Sequence, residues 1–208
     1  MIYKDRSEAG ILLSQKLFSY CGSQTLILGL ARGGVVIARE LGKALSLPFD
    51  ILIVKKIASP GDPELAVGAL APDKVSYVNW KFAHRVEADE AYIRTQISEL
   101  NDQIKKRTLI YREGKPPLNL RDKIIILVDD GAATGATMEA AVKWARKKHA
   151  KKIVVALPVA PPDFINRIKP ETDELVVLET PPEFSSVGQY YNNFPQIEDG
   201  KVIELLQS

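Results

Sequence analysis

The stretch KIIILVDDGAATGATM, Lys123–Met138, decides the fold of this chain. Its apolar residues, 124 to 128, run without a polar break. A run that short and rich in β-branched residues is typical of a strand buried on both faces, as in a parallel sheet. Asp129 and Asp130 follow at once, and a short loop of small residues leads into an alanine-rich helical pattern from about Ala136. This order of elements predicts a ligand site at the carboxyl end of a strand.

The loop after the acidic pair has the composition of an anion cradle. Its small residues leave the backbone open to close approach: Gly131, Ala132, Ala133 and Gly135. The loop N–H groups and the first turn of the following helix would hold a phosphate, and Thr134 and Thr137 add hydroxyl donors. The paired aspartates suit neutral hydroxyls or a metal-bound polyol instead. A ligand with a phosphate at one end and a diol nearby, such as a ribose 5-phosphate, satisfies both groups.

The sequence VDDGAATGAT, residues 128–137, resembles the phosphoribosyl pyrophosphate (PRPP) motif of the type I phosphoribosyltransferase family. The resemblance implies that Asp129 and Asp130 hold the ribose 2′ and 3′ hydroxyls and that residues 131–137, including Ala136, hold the 5-phosphate. The alternative is an ordinary βα turn with a helix-capping aspartate. Two acids, two glycines and two threonines at this spacing argue against that alternative.

A second strand, glycine loop and helix lies earlier in the chain. The segment 25–30, TLILGL, is predicted as the first core strand, and Gly33 and Gly34 open a helix after it. Arg32 adds a planar guanidinium suited to phosphate oxygens. Alone, the RGG sequence also fits a plain tight turn. Beside the aspartate motif it resembles the family's pyrophosphate loop, which implies a cis peptide bond between Ala31 and Arg32 and binding by residues 31–34.

The sequence predicts a second core strand over residues 48–56, followed by an exposed, mobile loop over about 57–66. Two prolines, a glycine and two acids interrupt this region before the next apolar segment. The resemblance implies that the loop closes over the site. Lys55 and Lys56 stand at its start, and alternation cannot decide which of them reaches the pyrophosphate. Glu64 is either a solvated loop charge or a catalytic carboxylate.

An inserted ribbon and helix are predicted over about residues 67–113. Short apolar runs at 67–70 and 75–78 indicate a β-ribbon, and apolar residues recur at helical spacing over 85–112. Three roles are open to this long helix: it packs over the sheet, covers the site, or mediates a homodimer. Its basic run, Lys105 to Arg107, is interpreted as a solvated face.

The tail, about residues 180–208, holds four aromatic residues close together: Phe184, Tyr190, Tyr191 and Phe194. They form either a hydrophobic plug at a domain edge or the hood in which family members receive the nucleobase. The resemblance implies the hood, with Phe184 as the base-contacting residue.

Composition narrows the class of protein. The chain has 208 residues and a formal charge of +2, so no broad basic face indicates nucleic acid as a partner. No apolar run approaches the roughly 18 residues of a membrane-spanning helix. Asp5 and Glu8 stand where a signal peptide would be apolar, and the single Cys21 excludes an internal disulfide. A cytoplasmic location is the default expectation.

The resemblance covers the whole chain and implies one α/β domain over residues 1–208, a mostly parallel twisted sheet flanked by helices with a small hood. The implied reaction transfers the 5-phosphoribosyl group of PRPP to a nucleobase-like small molecule or related nitrogen nucleophile and releases pyrophosphate. Mg²⁺ is the implied cofactor, bound through PRPP, with Asp129 and Asp130 as candidate contacts. Catalysis would rest on five residues: Arg32, Asp129, Asp130, Lys56 and Glu64. The alternative is a non-catalytic regulator that binds PRPP or a nucleotide on the same fold.

One departure leaves the acceptor open. Hypoxanthine-guanine enzymes carry an aspartate at the loop position that Ala133 occupies here, and it acts near the base. The motif is closer to that of the adenine and orotate enzymes. The group that handles the acceptor's proton must therefore come from elsewhere: Glu64, a lysine of the mobile loop, or water.

Overall fold

The computed structural model describes residues 2–207, and within that range the strands form two sheets. The helices are α1 (Arg6–Lys16), α2 (Gly34–Leu45), α3 (Trp80–Arg85), α4 (Glu90–Tyr111), α5 (Ala136–Lys147), α6 (Pro162–Ile168) and α7 (Asp199–Gln207). The strands are β1 (Thr25–Leu30), β2 (Phe49–Leu52), β3 (Lys55–Ser59), β4 (Asp62–Ala71), β5 (Val75–Val78), β6 (Ile124–Val128), β7 (Lys152–Val159) and β8 (Glu174–Glu179).

The larger sheet has five strands in the order β2-β1-β6-β7-β8, and every neighbouring pair is parallel. Its strands alternate between two apolar layers. Ile27 and Ile126 face one layer, which α1 and α2 cover, while Leu28 and Leu127 face the other, which α5 and α6 cover. Burial on both faces explains why these strands read as continuous apolar runs. The predicted α/β fold is confirmed.

The strand order reverses at β1 and β6. From β1 the chain proceeds to β2 on one side, and from β6 it proceeds to β7 and β8 on the other. The helices after the two strands, α2 and α5, consequently cover opposite faces of the sheet. A crevice therefore opens between their carboxyl ends, which is where ligands bind in open α/β sheets.

The smaller sheet is antiparallel, in the order β3-β4-β5, and it corrects the prediction for residues 48–66. The predicted second core strand ends at Leu52, and Lys55 begins a different sheet. The predicted loop 57–66 is largely a β-hairpin with its turn at 60–61. Its prolines and glycine indicated a loop, yet Ile57 is fully buried. The ribbon predicted at 67–70 and 75–78 is confirmed as part of β4 and β5.

The long helix packs on the smaller sheet. α4 contacts β3, β4 and α7. Of the three roles predicted for this helix, the structure confirms that it packs over a sheet. That sheet is the smaller, antiparallel one. It begins at Glu90 because Asp89 caps it, its side chain accepting the Tyr92 N–H at 2.8 Å. Residues 80–85 form the separate helix α3. Within the described range no helix combines the length and apolar character needed to cross a bilayer.

Candidate active site

Two loops meet in the crevice between β1 and β6: the RGG loop, residues 31–34, and the DDG loop, residues 129–135. A Cβ on Gly34 would lie 2.6 Å from the Val128 carbonyl oxygen and 3.0 Å from the Asp129 Cα. One on Gly33 would overlap the Asp130 carboxylate. Only glycine allows this approach, so the two sequence motifs form one site. The Ala31–Arg32 peptide bond is cis, as expected from the resemblance.

The acidic pair is largely enclosed by its partners. The Asp129 Oδ1 atom accepts the Asp130 N–H at 2.9 Å, and the Asp130 Oδ2 atom accepts from Arg6 Nε at 2.8 Å. Burial, reinforced by the neighbouring Asp130 charge, raises the pKa of Asp129 well above its usual range. Burial also raises the pKa of Asp130, while the Arg6 guanidinium opposes that rise. The Gly34 N–H is a further hydrogen-bond partner of the Asp129 carboxyl and opposes the rise in its pKa, which ties the acidic pair to the RGG loop.

Arg6 is a site residue that sequence reasoning missed. The side chain is buried under the C-terminal segment: its Nη1 atom donates to the Pro195 carbonyl at 2.8 Å, and its Cζ atom lies 3.7 Å from the centre of the Phe194 ring. Tyr191 also reaches the acidic pair, donating to the Asp130 carbonyl at 2.6 Å. Arg6 and Asp130 are 124 residues apart, so no local pattern could indicate their pairing.

The DDG loop is held open by its neighbours. Gly135 has a φ of +75° and lies against the ring of Phe164, while the Ala132 N–H donates to the Val159 carbonyl at 3.0 Å. Arg167 donates to the Thr134 carbonyl at 2.6 Å. Ala133 and Thr134 are exposed. The first N–H groups of α5, from Ala136 and Thr137, have no intrahelical partner, so this end of the loop can receive an anion.

The RGG loop faces a cluster of charges. Arg32 Nη1 lies 3.2 Å from the Asp199 Oδ1 atom of α7, and the Tyr111 hydroxyl donates to that same oxygen at 2.7 Å. Lys55 belongs to this side of the site. Burial lowers its pKa, and the nearby Arg107 and Arg32 charges lower it further.

Lys56 lies on the other side, because successive side chains of a strand point in opposite directions. It lines a cavity of about 600 Å³ between the β3–β4 hairpin and the DDG loop. We call this space the hairpin cavity. Glu64 and Phe184 line it too, and so do Ala133, Thr134 and Ala136 of the DDG loop and α5, so six residues predicted for the site are brought together. Its other lining residues are Leu65, Ala66, Val67, Tyr77, Asn79, Phe82, Pro161, Asp163, Phe164, Arg167 and Ser185.

The tail aromatics divide between the two interpretations that the sequence leaves open. Phe184 lines the hairpin cavity and stacks on Tyr190, with ring centres 5.5 Å apart. Tyr191 and Phe194 stack at 4.8 Å and pack in the core beside Tyr3 and Arg6. Phe184 borders the cavity, whereas Tyr191 and Phe194 form a hydrophobic plug.

The fold and the two loops define a phosphoribosyl transferase domain. The sequence matches the profile of the phosphoribosyl transferase domain over residues 4–187, and the chain belongs to the type I phosphoribosyltransferase family. It is similar to TT1426 from Thermus thermophilus, whose crystal structure is 37% identical with a TM-score of 0.82, over 99% of this chain and 98% of that one.

Two other similarities are more limited. A Mycobacterium tuberculosis H37Rv protein named "Putative phosphoribosyl transferase Rv0571c" is 38% identical over 205 residues, which is 99% of this chain and 46% of that protein. The chain thus spans about half the length of the curated relatives it matches. A hypothetical protein from Neisseria gonorrhoeae with bound ppGpp is 15% identical with a TM-score of 0.51, over 100% of this chain and 97% of that one, and shares the fold alone.

Proposed function

We propose that this chain transfers the 5-phosphoribosyl group of PRPP to a nucleobase or related nitrogen nucleophile and releases pyrophosphate. One observation carries the proposal: the RGG and DDG loops meet at the switch point of the sheet, with an acidic pair between two anion cradles. PRPP has the matching order of groups, since its ribose diol lies between a 5-phosphate and a pyrophosphate.

Each part of the site has a proposed partner on PRPP. Arg32 and the backbone of Ala31, Gly33 and Gly34 bind the pyrophosphate. Asp129 and Asp130 accept hydrogen bonds from the ribose hydroxyls, alongside their bonds to Arg6 and to the backbone. The 5-phosphate binds to the exposed part of the DDG loop and to the start of α5, through the backbone of residues 131–137 and the Thr134 and Thr137 hydroxyls.

The site would lower the barrier by holding both ends of PRPP while positive charge develops on the ribose. The C1′–oxygen bond to pyrophosphate breaks, a C1′–nitrogen bond forms, and the acceptor nitrogen loses a proton. Glu64 is the proposed proton acceptor, because its carboxylate lines the hairpin cavity and has no hydrogen-bond or ion-pair partner among residues 2–207. The neighbouring Lys56 would balance the charge of Glu64 within the cavity, and Phe184 would stack on the acceptor.

The donor atoms fit Mg²⁺ that is carried by the substrate. Asp129 and Asp130 supply hard oxygen donors, and among residues 2–207 no set of three or more histidine, cysteine or acidic side chains could hold a metal. We propose that pyrophosphate oxygens, ribose hydroxyls and waters hold the ion, with the two aspartates close by. When bound, the ion neutralises the leaving pyrophosphate.

We also propose that the whole chain forms a single domain for this reaction. Within that domain, residues 57–66 would close over the site. The β3–β4 hairpin has an exposed tip at residues 60–65, and its base is anchored by the buried Ile57 and Val67. A hairpin of this kind can move at its tip without unfolding the sheet below it. The terminal residues 1 and 208 of the proposed domain lie outside the described range.

Calorimetry with PRPP tests the binding site. We expect wild-type protein to bind PRPP with Mg²⁺ present, and Asp129→Asn/Asp130→Asn to weaken that binding at least tenfold (about 1.4 kcal/mol), because two charged acceptors for the diol become neutral. Inorganic phosphate and ribose 5-phosphate serve as comparison ligands. In this variant Arg6 lies beside a neutral amide instead of the Asp130 carboxylate. The thermal unfolding temperature of the variant shows whether the protein is still folded.

Two outcomes would contradict parts of the proposal. Wild-type protein that fails to bind PRPP with or without Mg²⁺ would exclude PRPP as the substrate. Protein that binds PRPP but releases no pyrophosphate with any base in a broad panel would instead be a non-catalytic regulator. Turnover therefore separates the two functions that the sequence leaves open.

The charged side chains that line the hairpin cavity favour an acceptor without negative charge. Its two acidic side chains, Glu64 and Asp163, have no side-chain partners among the described residues, while Arg167 is already bonded to Glu139 and to the Thr134 carbonyl. Lys56 alone balances them. We expect a neutral, amino-bearing base such as adenine to be used at least tenfold more efficiently than the anionic orotate, because orotate would face two unpaired carboxylates.

Initial rates of pyrophosphate release with each base at saturating PRPP measure this preference. Asp163→Asn removes one carboxylate without touching the DDG loop, and we expect it to narrow the difference between the two bases. A preference for orotate in the wild-type protein would contradict the prediction.

A further inference from the structure

Three elements, α4, α7 and β3, bring polar and charged side chains together beside Arg32 of the RGG loop. The Asp199 Oδ1 atom at the start of α7 accepts from Tyr111 of α4 at 2.7 Å and lies 3.2 Å from Arg32 Nη1. Lys55 of β3 and Arg107 of α4 complete the group, which we call the Asp199 cluster. It contains three cations and one carboxylate, so it carries an excess of two positive charges.

Arg107 differs from the rest of the basic run on α4. It precedes Tyr111 by four residues, which puts the two side chains on the same face of the helix. Arg107 is half-buried, whereas Lys105 and Lys106 are exposed. The prediction of a solvated basic face is therefore wrong for Arg107, whose charge lies close enough to lower the pKa of both Lys55 and Asp199.

This excess of charge is unfavourable without a ligand. A half-buried lysine beside two guanidinium groups loses hydration and is repelled by its neighbours. The only carboxylate bonded to Arg32 among the described residues is that of Asp199, whose side chain is 51% exposed. An anion with two or more charges would balance the cluster, and its oxygens would take the place on Arg32 that a carboxylate oxygen now holds.

We propose that Arg107 is a further pyrophosphate-binding residue, which acts beside Lys55 on the RGG side of β3, and that Asp199 is the counter-ion that pyrophosphate displaces from Arg32. This inference rests on the proposed function and assigns a substrate contact to the inserted helix. It also gives Tyr111 a role, because its hydroxyl retains Asp199 close to the site after Arg32 has been released.

Calorimetric titration with Mg²⁺-pyrophosphate tests the inference. At constant ionic strength we expect Arg107→Gln to weaken pyrophosphate binding about tenfold, which corresponds to about 1.4 kcal/mol. Asp199→Asn should strengthen binding severalfold, since a competitor for Arg32 loses its charge while the side chain can still accept from Tyr111. Lys105→Gln and Lys106→Gln are matched controls that remove an exposed charge from the same helix and should leave the affinity unchanged.

Ribose 5-phosphate distinguishes a local effect from a change of fold, because it lacks the pyrophosphate and should bind equally to wild type and Arg107→Gln. Equal pyrophosphate affinity of wild type and Arg107→Gln, or weaker binding by Asp199→Asn, would overturn the inference and leave PRPP binding intact. A third outcome is that wild-type protein binds pyrophosphate, with an affinity that depends on Arg107, but does not bind PRPP. That result would support the pyrophosphate site and refute the proposed function. Binding of neither ligand by wild type would refute both.

Discussion

Arg6→Met is expected to lower the free energy of unfolding by about 3 kcal/mol, because it leaves Asp130 as an unpaired buried charge. The Arg6 and Asp130 side chains are only 8% and 15% exposed and lie 2.8 Å apart. The Asp129 carboxyl lies beside Asp130, and the two groups repel each other when both are ionised. The methionine would fill much of the space but could neither pair with Asp130 nor donate to the Pro195 carbonyl. Urea denaturation measures the loss.

Arg94→Met is the matched control for this change. Arg94 forms an ion pair with Glu90 at 3.1 Å, yet both side chains are about three-quarters exposed (76% and 74%). Its loss should cost less than about 1 kcal/mol. Adding Asp130→Asn to Arg6→Met should restore part of the stability, since the unpaired charge is gone. An Arg6→Met variant as stable as Arg94→Met would show that the pair does not hold the acidic loop.

Gly135→Ala is expected to destabilise the protein by about 3 kcal/mol and to weaken binding of the proposed 5-phosphate. Two costs combine, a side chain in left-handed backbone at a φ of +75° and overpacking against a buried ring. The new methyl group would overlap the Phe164 ring, whose exposure is 0%. The DDG loop would then have to move away from the start of α5. Urea denaturation and titration with ribose 5-phosphate measure the two effects.

Gly61→Ala separates the two costs. Gly61 has a similar φ of +79°, but an added Cβ would meet nothing within 4 Å. The control therefore carries the backbone penalty alone, about 1–2 kcal/mol. If both variants lost the same stability, contact with Phe164 would not constrain the loop.

Local sequence predicted the elements that carry the site. β1 and β6 were predicted with the bounds that the structure has, because each is a short, largely apolar run buried on both faces and followed by a loop that carries glycine or aspartate. The RGG and DDG loops follow these strands directly, so the sequence predicted that both loops lie at the carboxyl edge of the sheet. The start of α5 at Ala136 and the cis bond before Arg32 were likewise predicted correctly.

Other features depended on contacts that no local pattern encodes. The apolar run 51–54 continues from β2 towards β3, and only the packing of Ile57 under α4 shows that the chain has changed sheets. The prolines of the hairpin indicated a loop because their effect on turns is local, whereas the burial that holds β3 and β4 comes from α4 and α5, much later in the chain.

The amino-acid sequence by itself determined the parallel sheet, the two glycine-containing loops at its carboxyl edge and the family, because apolar periodicity and glycine placement act over a few residues. The tertiary structure decided which basic side chain lies beside each loop. Lys55 and Lys56 are neighbours in sequence but face different parts of the site, and Arg6 reaches Asp130 across 124 residues. Asp199 likewise meets Arg32 across 167 residues. Charges interact through space, so their partners are set only when the helices and both sheets have packed.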